Sequence, residues 1–172
     1  MKNLLMATTA ITMMSGAAFA EDIKIGVILG FTGPLESITP AMGAGAELAM
    51  AEVSESGALL DGSTVTSVRG DSTCIDAGAA VTAAERLVTA DKVNAIMGAD
   101  CSGVTGAILA NVALANGTVM ISPSATSPGL STAEDNGLFF RTAPSDARQG
   151  VIITNILQDR GFNEVALTYT NN

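Results

Sequence analysis

The sequence of 172 residues predicts an α/β fold in which helices cover both faces of a parallel sheet. Two observations lead to this prediction. Short apolar runs of strand length alternate with longer segments whose apolar residues recur at helical spacing, and short connections join them. In addition, 48% of the residues are hydrophobic and only 15% are charged, so the chain has enough apolar surface to bury a core.

The first elements are a strand, a helix and a second strand. Ile23–Leu29 is an almost continuous apolar run, which is typical of a buried parallel strand, and residues 30–34 break it into a loop. The alanine-rich segment 42–56 predicts a helix that Gly57 ends. Residues 64–68 are rich in β-branched side chains and predict the next strand.

The same alternation continues as helix 76–90, strand 93–97, helix 102–115, strand 118–121, an apolar segment at 138–141, helix 146–160 and strand 164–169. Residues 101–133 carry no charged side chain, and 104–121 is long enough to resemble a membrane span. Asn111, Asn116 and Gly117 interrupt this stretch, so we interpret it as a buried helix followed by a buried strand.

Residues 1–20 predict a secretory signal peptide rather than part of the fold. Lys2 supplies the positive start, Leu4–Ala18 is apolar and uncharged, and Ala18-Phe19-Ala20 is a small-x-small cleavage pattern. The alternative is an N-terminal membrane anchor, but the apolar part is shorter than the roughly 20 residues that a span needs. We therefore expect an exported protein that is cleaved after Ala20.

Composition excludes several classes of function. The absence of histidine rules out Ser-His-Asp and Cys-His catalysis and histidine-bearing zinc sites from this chain alone. A formal charge of −9 argues against nucleic acid as a partner. The sequence has neither the G-x-G-x-x-G spacing of a dinucleotide fold nor a G-K-[ST] phosphate loop. We find no catalytic constellation and expect a protein that is not an enzyme.

Cys74 and Cys101 are the two cysteines of the chain, and both follow the predicted cleavage position. An even pair in an oxidising compartment predicts a disulfide, while two unpaired buried thiols remain the alternative. Asp71, Asp76 and Asp100 could be imagined as a metal cluster, but we interpret them as helix caps and solvated loop carboxylates. No metal ion and no cofactor is expected.

Two loops follow neighbouring predicted strands, where ligands bind in open parallel sheets. In the first, 98–103, Ser102 and Gly103 would present backbone N–H groups and a hydroxyl at a helix N-terminus, which suits a carboxylate. Ser102 as a plain N-cap is the alternative. The second loop, 122–129, offers several hydroxyls between two prolines, and its alternative is an ordinary turn.

These residues resemble the branched-chain amino acid (Leu/Ile/Val-type) periplasmic substrate-binding proteins of ABC transporters. The resemblance covers essentially the whole chain after the signal peptide. The motifs that carry it are Asp22-Ile23-Lys24-Ile25-Gly26-Val27, Phe31-Thr32-Gly33-Pro34, Gly70-Asp71-Ser72-Thr73-Cys74, Met97-Gly98-Ala99-Asp100-Cys101-Ser102, Ile121-Ser122-Pro123-Ser124-Ala125-Thr126 and Phe140-Arg141-Thr142.

The resemblance implies a type I periplasmic-binding-protein fold of two doubly wound α/β lobes, joined by three crossovers, that close on an amino acid. It implies a signal peptide at 1–20, an incomplete N-terminal ligand-binding lobe at 21–142, and a crossover with the truncated start of the second lobe at 143–172. It also implies that the cysteines pair within the N-terminal lobe.

The resemblance further implies a ligand set. Ser102 and Thr126 would bind the α-carboxylate of the ligand, and the Gly103 N–H group expected above at the helix start would lie beside them. The α-ammonium would contact the Ser124 carbonyl and the Thr126 hydroxyl, and Ala125 would line the site through its backbone. Such a division suits a zwitterion, because N–H and hydroxyl groups donate to the carboxylate while carbonyls accept from the ammonium.

Two departures from the family are visible. Its amino acid binders often carry an aromatic residue near the position of Ile38, and none is present here. The family also runs to more than twice this length, so that a second-lobe aromatic residue and an acidic partner for the ammonium would lie beyond Asn172.

The sequence thus predicts a monomeric periplasmic receptor that delivers an amino acid, branched-chain or a related small carboxylate, to the membrane permease of an ABC importer. The first alternative is a ligand-sensing domain of a receptor or regulator with the same fold. The second is a small secreted α/β enzyme.

Overall fold

Parallel strand pairing organises the residues that the computed structural model describes, which are 22–59 and 62–169. Within these ranges five strands form one sheet in the order β2-β1-β3-β4-β5, and every pairing is parallel. The strands are β1 (Ile23–Leu29), β2 (Val65–Asp71), β3 (Ala95–Gly98), β4 (Val119–Ser122) and β5 (Phe139–Arg141). The predicted parallel α/β architecture is confirmed. The predicted signal peptide lies outside the described residues.

The helices alternate with the strands as the periodicity predicts. They are α1 (Thr39–Glu55), α2 (Ala77–Thr89), α3, which runs as Ser102–Ile108, a π-helical turn Leu109–Ala113 and Leu114–Asn116, and α4 (Asp146–Asp159). A short 3₁₀ turn, Pro128–Ser131, lies between β4 and β5.

Local sequence sets where these helices begin and end. Asp76 caps α2, since its carboxylate accepts the Ala79 N–H at 3.0 Å, and Ser145 caps α4 by accepting the Ala147 N–H. Gly117 adopts a left-handed conformation at the end of α3, with φ +64°. Helix α1 begins three residues earlier than predicted, because Pro40 fits the first helical turn, where its missing N–H has no acceptor to lose.

The core lies under the centre of the sheet. In β1, which pairs on both edges, Val27, Ile28 and Leu29 are fully buried. Leu87 of α2 packs closely over β1 and β2 because glycine at positions 26 and 70 leaves room: a Cβ at either would come within 3.1 Å of the Leu87 side chain. Most of the remaining core comes from α2, α3 and the central strands.

Two departures from the predicted elements have a simple cause in strand pairing. Strand β2 extends to Asp71, three residues beyond the prediction, because β1 pairs with it as far as Leu29. The predicted strand at 164–169 is wrong: these residues form no strand, and no neighbouring strand within the described ranges pairs with them. Helix α4 exposes apolar side chains, among them Val151, Ile152 and Ile156.

The uncharged stretch after Cys101 forms helix α3 and strand β4, as the sequence predicts. Within residues 22–59 and 62–169, no helix combines the length and the apolar character that crossing a membrane requires.

Replacing Gly98 by alanine should lower the free energy of unfolding by about 3 kcal/mol. Gly98 has φ +135°, and a Cβ there would lie 2.0 Å from the Ile28 carbonyl oxygen, so the central strands would have to separate. The measurement is urea denaturation of the full-length protein. Gly45→Ala in helix α1 is the matched control, because its Cβ meets no heavy atom within 4 Å. Equal denaturation midpoints for both variants would contradict the prediction.

Candidate functional site

A cavity of about 590 Å³ lies at the edge of the sheet where β3 and β4 end. It is lined by Asp100, Cys101, Ser102, Gly103, Ser124, Thr126, Ser127, Pro128, Gly129, Leu130 and Asp146. The two predicted loops therefore meet, as expected for the carboxyl ends of adjacent parallel strands. The structure brings Ser102, Gly103, Ser124 and Thr126 together in this cavity. Ala125 is fully buried behind it.

Ser102 joins the two loops. Its Oγ accepts the N–H groups of Thr126 and Ser127, both at 3.1 Å. The interpretation of Ser102 as a plain N-cap is therefore wrong: Cys101 occupies the N-cap position of α3 and makes no capping side-chain bond. Since the Ser102 oxygen accepts two N–H groups, its own hydroxyl proton is left to donate to an acceptor in the cavity.

Thr126 is held at both its hydroxyl and its carbonyl by the start of helix α4. Its Oγ1 donates to Asp146 Oδ2 at 2.9 Å, and its carbonyl accepts the Asp146 N–H at 3.0 Å. The hydroxyl proton is therefore committed to the carboxylate, while lone pairs of Oγ1 remain to accept. In this arrangement Ser102 is a donor and Thr126 Oγ1 an acceptor.

Serine hydroxyls bond the second loop, 122–129, to the first, 98–103, so the second loop is not an isolated turn. Ser122 is fully buried, and its Oγ donates to the Ala99 carbonyl at 2.5 Å and accepts the Ala125 N–H at 2.9 Å. Ser124 Oγ donates to the Asp100 carbonyl at 2.9 Å. Ser124 therefore has its hydroxyl turned to the first loop, which leaves its backbone as the group available to a ligand.

Asp100 is not the solvated loop carboxylate that the sequence suggests, since it is only 3% exposed. Its carboxylate accepts the Gly30 N–H at 3.1 and 3.2 Å and the Ser72 hydroxyl at 3.3 Å. The interpretation fails because these partners lie 28 and 70 residues away in the sequence. Asp76 is a helix cap, as predicted.

Asp71 anchors the loop after β1. It accepts the Thr32 hydroxyl at 2.6 Å and the Thr73 N–H at 2.9 Å. Burial raises the pKa of Asp71. The hydrogen bonds from Thr32, Thr73 and the Phe31 N–H lower this pKa by more than burial raises it, so it lies below its usual range. Within the described ranges, no three acidic or cysteine side chains cluster as metal ligands.

Cys74 and Cys101 form a disulfide with an S–S distance of 2.04 Å, which confirms the predicted pairing. The bond joins the connection after β2 to the N-cap residue of helix α3. The two cysteines are separated by 27 positions in the sequence, and the chain-entropy model gives a disulfide across such a loop about 3 to 4 kcal/mol of stabilisation. The disulfide thus fixes the backbone directly before Ser102.

A family model described as periplasmic binding protein matches residues 22–172. The chain belongs to the periplasmic binding protein family. The predicted family and its fold class are confirmed for the described part of the chain.

Relatives within the family are named as binding proteins for branched-chain amino acids, and one of these names includes threonine. The Leu/Ile/Val/Thr-binding protein of Salmonella typhimurium is 34% identical over 149 residues, which are 87% of this chain and 39% of that protein. The Leu/Ile/Val-binding protein of Escherichia coli K12 is 34% identical over 136 residues. The chain therefore spans well under half the length of these curated relatives.

Solved structures from the family share the fold. The branched-chain amino acid transporter substrate binding protein of Streptococcus pneumoniae, solved in complex with isoleucine, superposes with a TM-score of 0.72 at 35% identity over 81% of this chain and 39% of that one. A substrate-binding protein of Desulfitobacterium hafniense, solved with leucine, gives 0.69 at 26% identity over 82% of this chain and 40% of that one.

Sequence reasoning missed two residues that line or support this candidate site. Asp146 lines the cavity and holds Thr126, but in the sequence it is only an acidic residue at the start of a helix. Arg141 reaches the loop of Thr126 from β5, with its guanidinium on the carbonyls of Ala125 and Ser127. The motif Phe140-Arg141-Thr142 marks the place without indicating the contact.

Asp100→Ala should lower the free energy of unfolding by about 2 to 4 kcal/mol, because the buried Gly30 N–H and Ser72 hydroxyl lose their acceptor. The change is measured by urea denaturation of the full-length protein. Asp159→Ala, at the exposed end of α4, serves as the control and should stay within about 0.5 kcal/mol of the wild type. Equal loss in both variants would show that Asp100 is not a structural anchor.

Proposed function

We propose that the full-length protein is a periplasmic solute receptor that binds an amino acid, branched-chain or a related small carboxylate, and delivers it to the permease of an ABC importer. The observation that carries this proposal is the division of hydrogen-bonding capacity in one cavity. Ser102 has a proton to donate, whereas Thr126 Oγ1 and the Asp146 carboxylate can accept. A zwitterion needs donors for one end and acceptors for the other.

The carboxylate end of the ligand would lie at the start of helix α3. Ser102 supplies its hydroxyl proton, and the first-turn N–H groups of Ser102 and Gly103 have no acceptor within the helix. A Cβ at Gly103 would meet no heavy atom within 4 Å, so this turn is open to an approaching group. The helix dipole favours an anion here without any lysine or arginine.

The ammonium end would lie toward Ser124, Thr126 and Asp146. The Thr126 oxygen accepts while its proton stays on Asp146, and the Asp146 carboxylate supplies the opposite charge. The Ser124 carbonyl completes the set, and the Ala125 backbone supports it from behind. Asp146 would then provide an acidic partner for the ammonium, which the family resemblance places only beyond Asn172.

The branched-chain class of ligand rests on the relatives, because the described cavity offers little to a side chain. Only Leu130 and Pro128 line it with sizeable apolar surface, and Leu130 is 8% exposed. Ile38, near the family's aromatic position, is 51% exposed on the loop before α1. Contacts that select a side chain would therefore come mainly from outside this cavity.

The remaining features of the proposal follow the family. Residues 1–20 direct export and are cleaved after Ala20, residues 21–142 form the N-terminal lobe, and 143–172 form a crossover and the start of the second lobe. Ligand closes the lobes by a hinge motion, and the closed monomer docks on its permease. The protein binds without catalysis, cofactor, metal ion or nucleic acid.

Thr126→Val should weaken binding of L-leucine or L-isoleucine about 10- to 100-fold, because the Oγ1 acceptor for the ammonium is lost. Calorimetry on the full-length protein measures the affinity, and thermal melting checks the fold. Thr82→Val on the exposed face of α2 is the matched control, since its hydroxyl bonds only the Gly78 carbonyl. Equal affinities for wild type and Thr126→Val would remove Thr126 from the site.

Both charged ends of the ligand should be required. We expect 4-methylpentanoic acid, which lacks the ammonium of leucine, and 3-methylbutylamine, which lacks its carboxylate, to bind at least about 100-fold more weakly than L-leucine. Asp146→Asn should weaken L-leucine more than 4-methylpentanoic acid. Binding of either analogue as tight as that of leucine would contradict recognition of both charged ends, and no binding of any amino acid or small carboxylate would contradict the proposed function.

A further inference from the structure

Arg141, the last residue of β5, makes its side-chain contacts with the loop that carries Thr126. Its Nη1 donates to the carbonyls of Ala125 and Ser127, at 3.2 and 2.8 Å, and its Nη2 donates to Ser131 Oγ. The guanidinium therefore bonds the residues immediately before and after Thr126.

The charge of Arg141 is used for these carbonyls rather than for an ion pair. Within the described ranges the salt bridges are Arg69–Glu47 and Arg86–Asp91, and neither involves Arg141. A planar fork of fixed N–H donors suits several backbone acceptors at once, which a lysine ammonium on its flexible stem does not reproduce. This geometry indicates a positioning role.

Arg141 positions the peptide bond between Ala125 and Thr126. Its C=O accepts from Arg141, and its N–H, on the opposite side of the same trans peptide, donates to Ser102 Oγ at 3.1 Å. The next peptide is held in the same way, with its C=O on the Asp146 N–H and its N–H on Ser102 Oγ. Arg141 thus fixes one peptide plane whose other end sets the hydrogen bonding of Ser102.

We propose that Arg141 is a positioning residue for the amino acid site, acting through the Ala125–Thr126 peptide on Ser102 and Thr126. The identity of the ligand in this proposal rests on the proposed function, whereas the role of Arg141 in ordering the loop does not. Without the guanidinium, the peptide plane can rotate, Ser102 Oγ loses a donor, and its proton is no longer reserved for a ligand carboxylate. Ligand affinity then falls although Arg141 touches no ligand.

The test compares Arg141→Lys, Arg141→Gln and Arg141→Ala with Arg160→Ala in the full-length protein. Arg160 lies at the exposed end of α4 and is the matched control. Calorimetry with L-leucine and L-isoleucine should show a loss of about 10-fold or more for all three Arg141 variants, lysine included, and less than about 2-fold for Arg160→Ala. Millimolar ethylguanidinium should restore part of the affinity of Arg141→Ala but none of that of Thr126→Val.

Amide hydrogen exchange without ligand gives an independent readout. We expect faster exchange at 124–131 in the Arg141 variants, with α2 unchanged. Wild-type affinity in Arg141→Lys or Arg141→Gln, or faster exchange spread evenly over the whole sheet, would overturn the proposal. If the wild type binds no amino acid, the proposed function fails, and exchange at 124–131 still decides whether Arg141 orders the loop. If Arg141→Ala does not fold, the lysine and glutamine variants carry the test.

Discussion

The buried carboxylate of Asp100 is the interaction on which the loops at the carboxyl edge of the sheet depend. It accepts the Gly30 N–H after β1 and the Ser72 hydroxyl after β2, while its own carbonyl accepts Ser124 Oγ after β4. One residue after β3 therefore joins the loops of four neighbouring strands. A buried charge is costly unless donors surround it, and the loops after β1 and β2 supply the donors to this carboxylate. The loops are consequently held together, and their positions determine the shape of the cavity.

Around this anchor, hydrogen bonds divide the cavity into a donating and an accepting side. Ser102 takes two N–H groups, so its proton is left over, whereas Thr126 gives its proton to Asp146, so its lone pairs are left over. Neither polarity follows from the residue type, because serine and threonine hydroxyls both donate and accept. It follows from which partners already occupy each hydroxyl. Arg141 contributes to this division, because it holds the Ala125–Thr126 peptide whose N–H donates to Ser102 Oγ.

The sequence was sufficient for features that depend on local pattern. Apolar runs such as Ile23–Leu29 predicted the strands, and the order of elements predicted that the loops of Ser102 and Thr126 would meet. It was insufficient for contacts between residues far apart in the chain. Nothing near Asp100 indicates that Gly30, 70 residues earlier, would bury its carboxylate. The strand predicted at 164–169 failed for a related reason: its pattern is strand-like, but a strand needs a neighbour that the described residues do not provide.

The kind of group that lines the cavity also limits what this lobe can distinguish. Hydroxyls, helix-start N–H groups, a backbone carbonyl and one exposed carboxylate are suited to the α-carboxylate and α-ammonium that all amino acids share. Discrimination between side chains requires apolar surface of matching shape, where each methylene is worth only about 1 to 3 kcal/mol. Leu130 and Pro128 offer little of that surface here. Under the proposed function, a cavity of this composition would hold the common part of an amino acid, and contacts outside it would select the side chain.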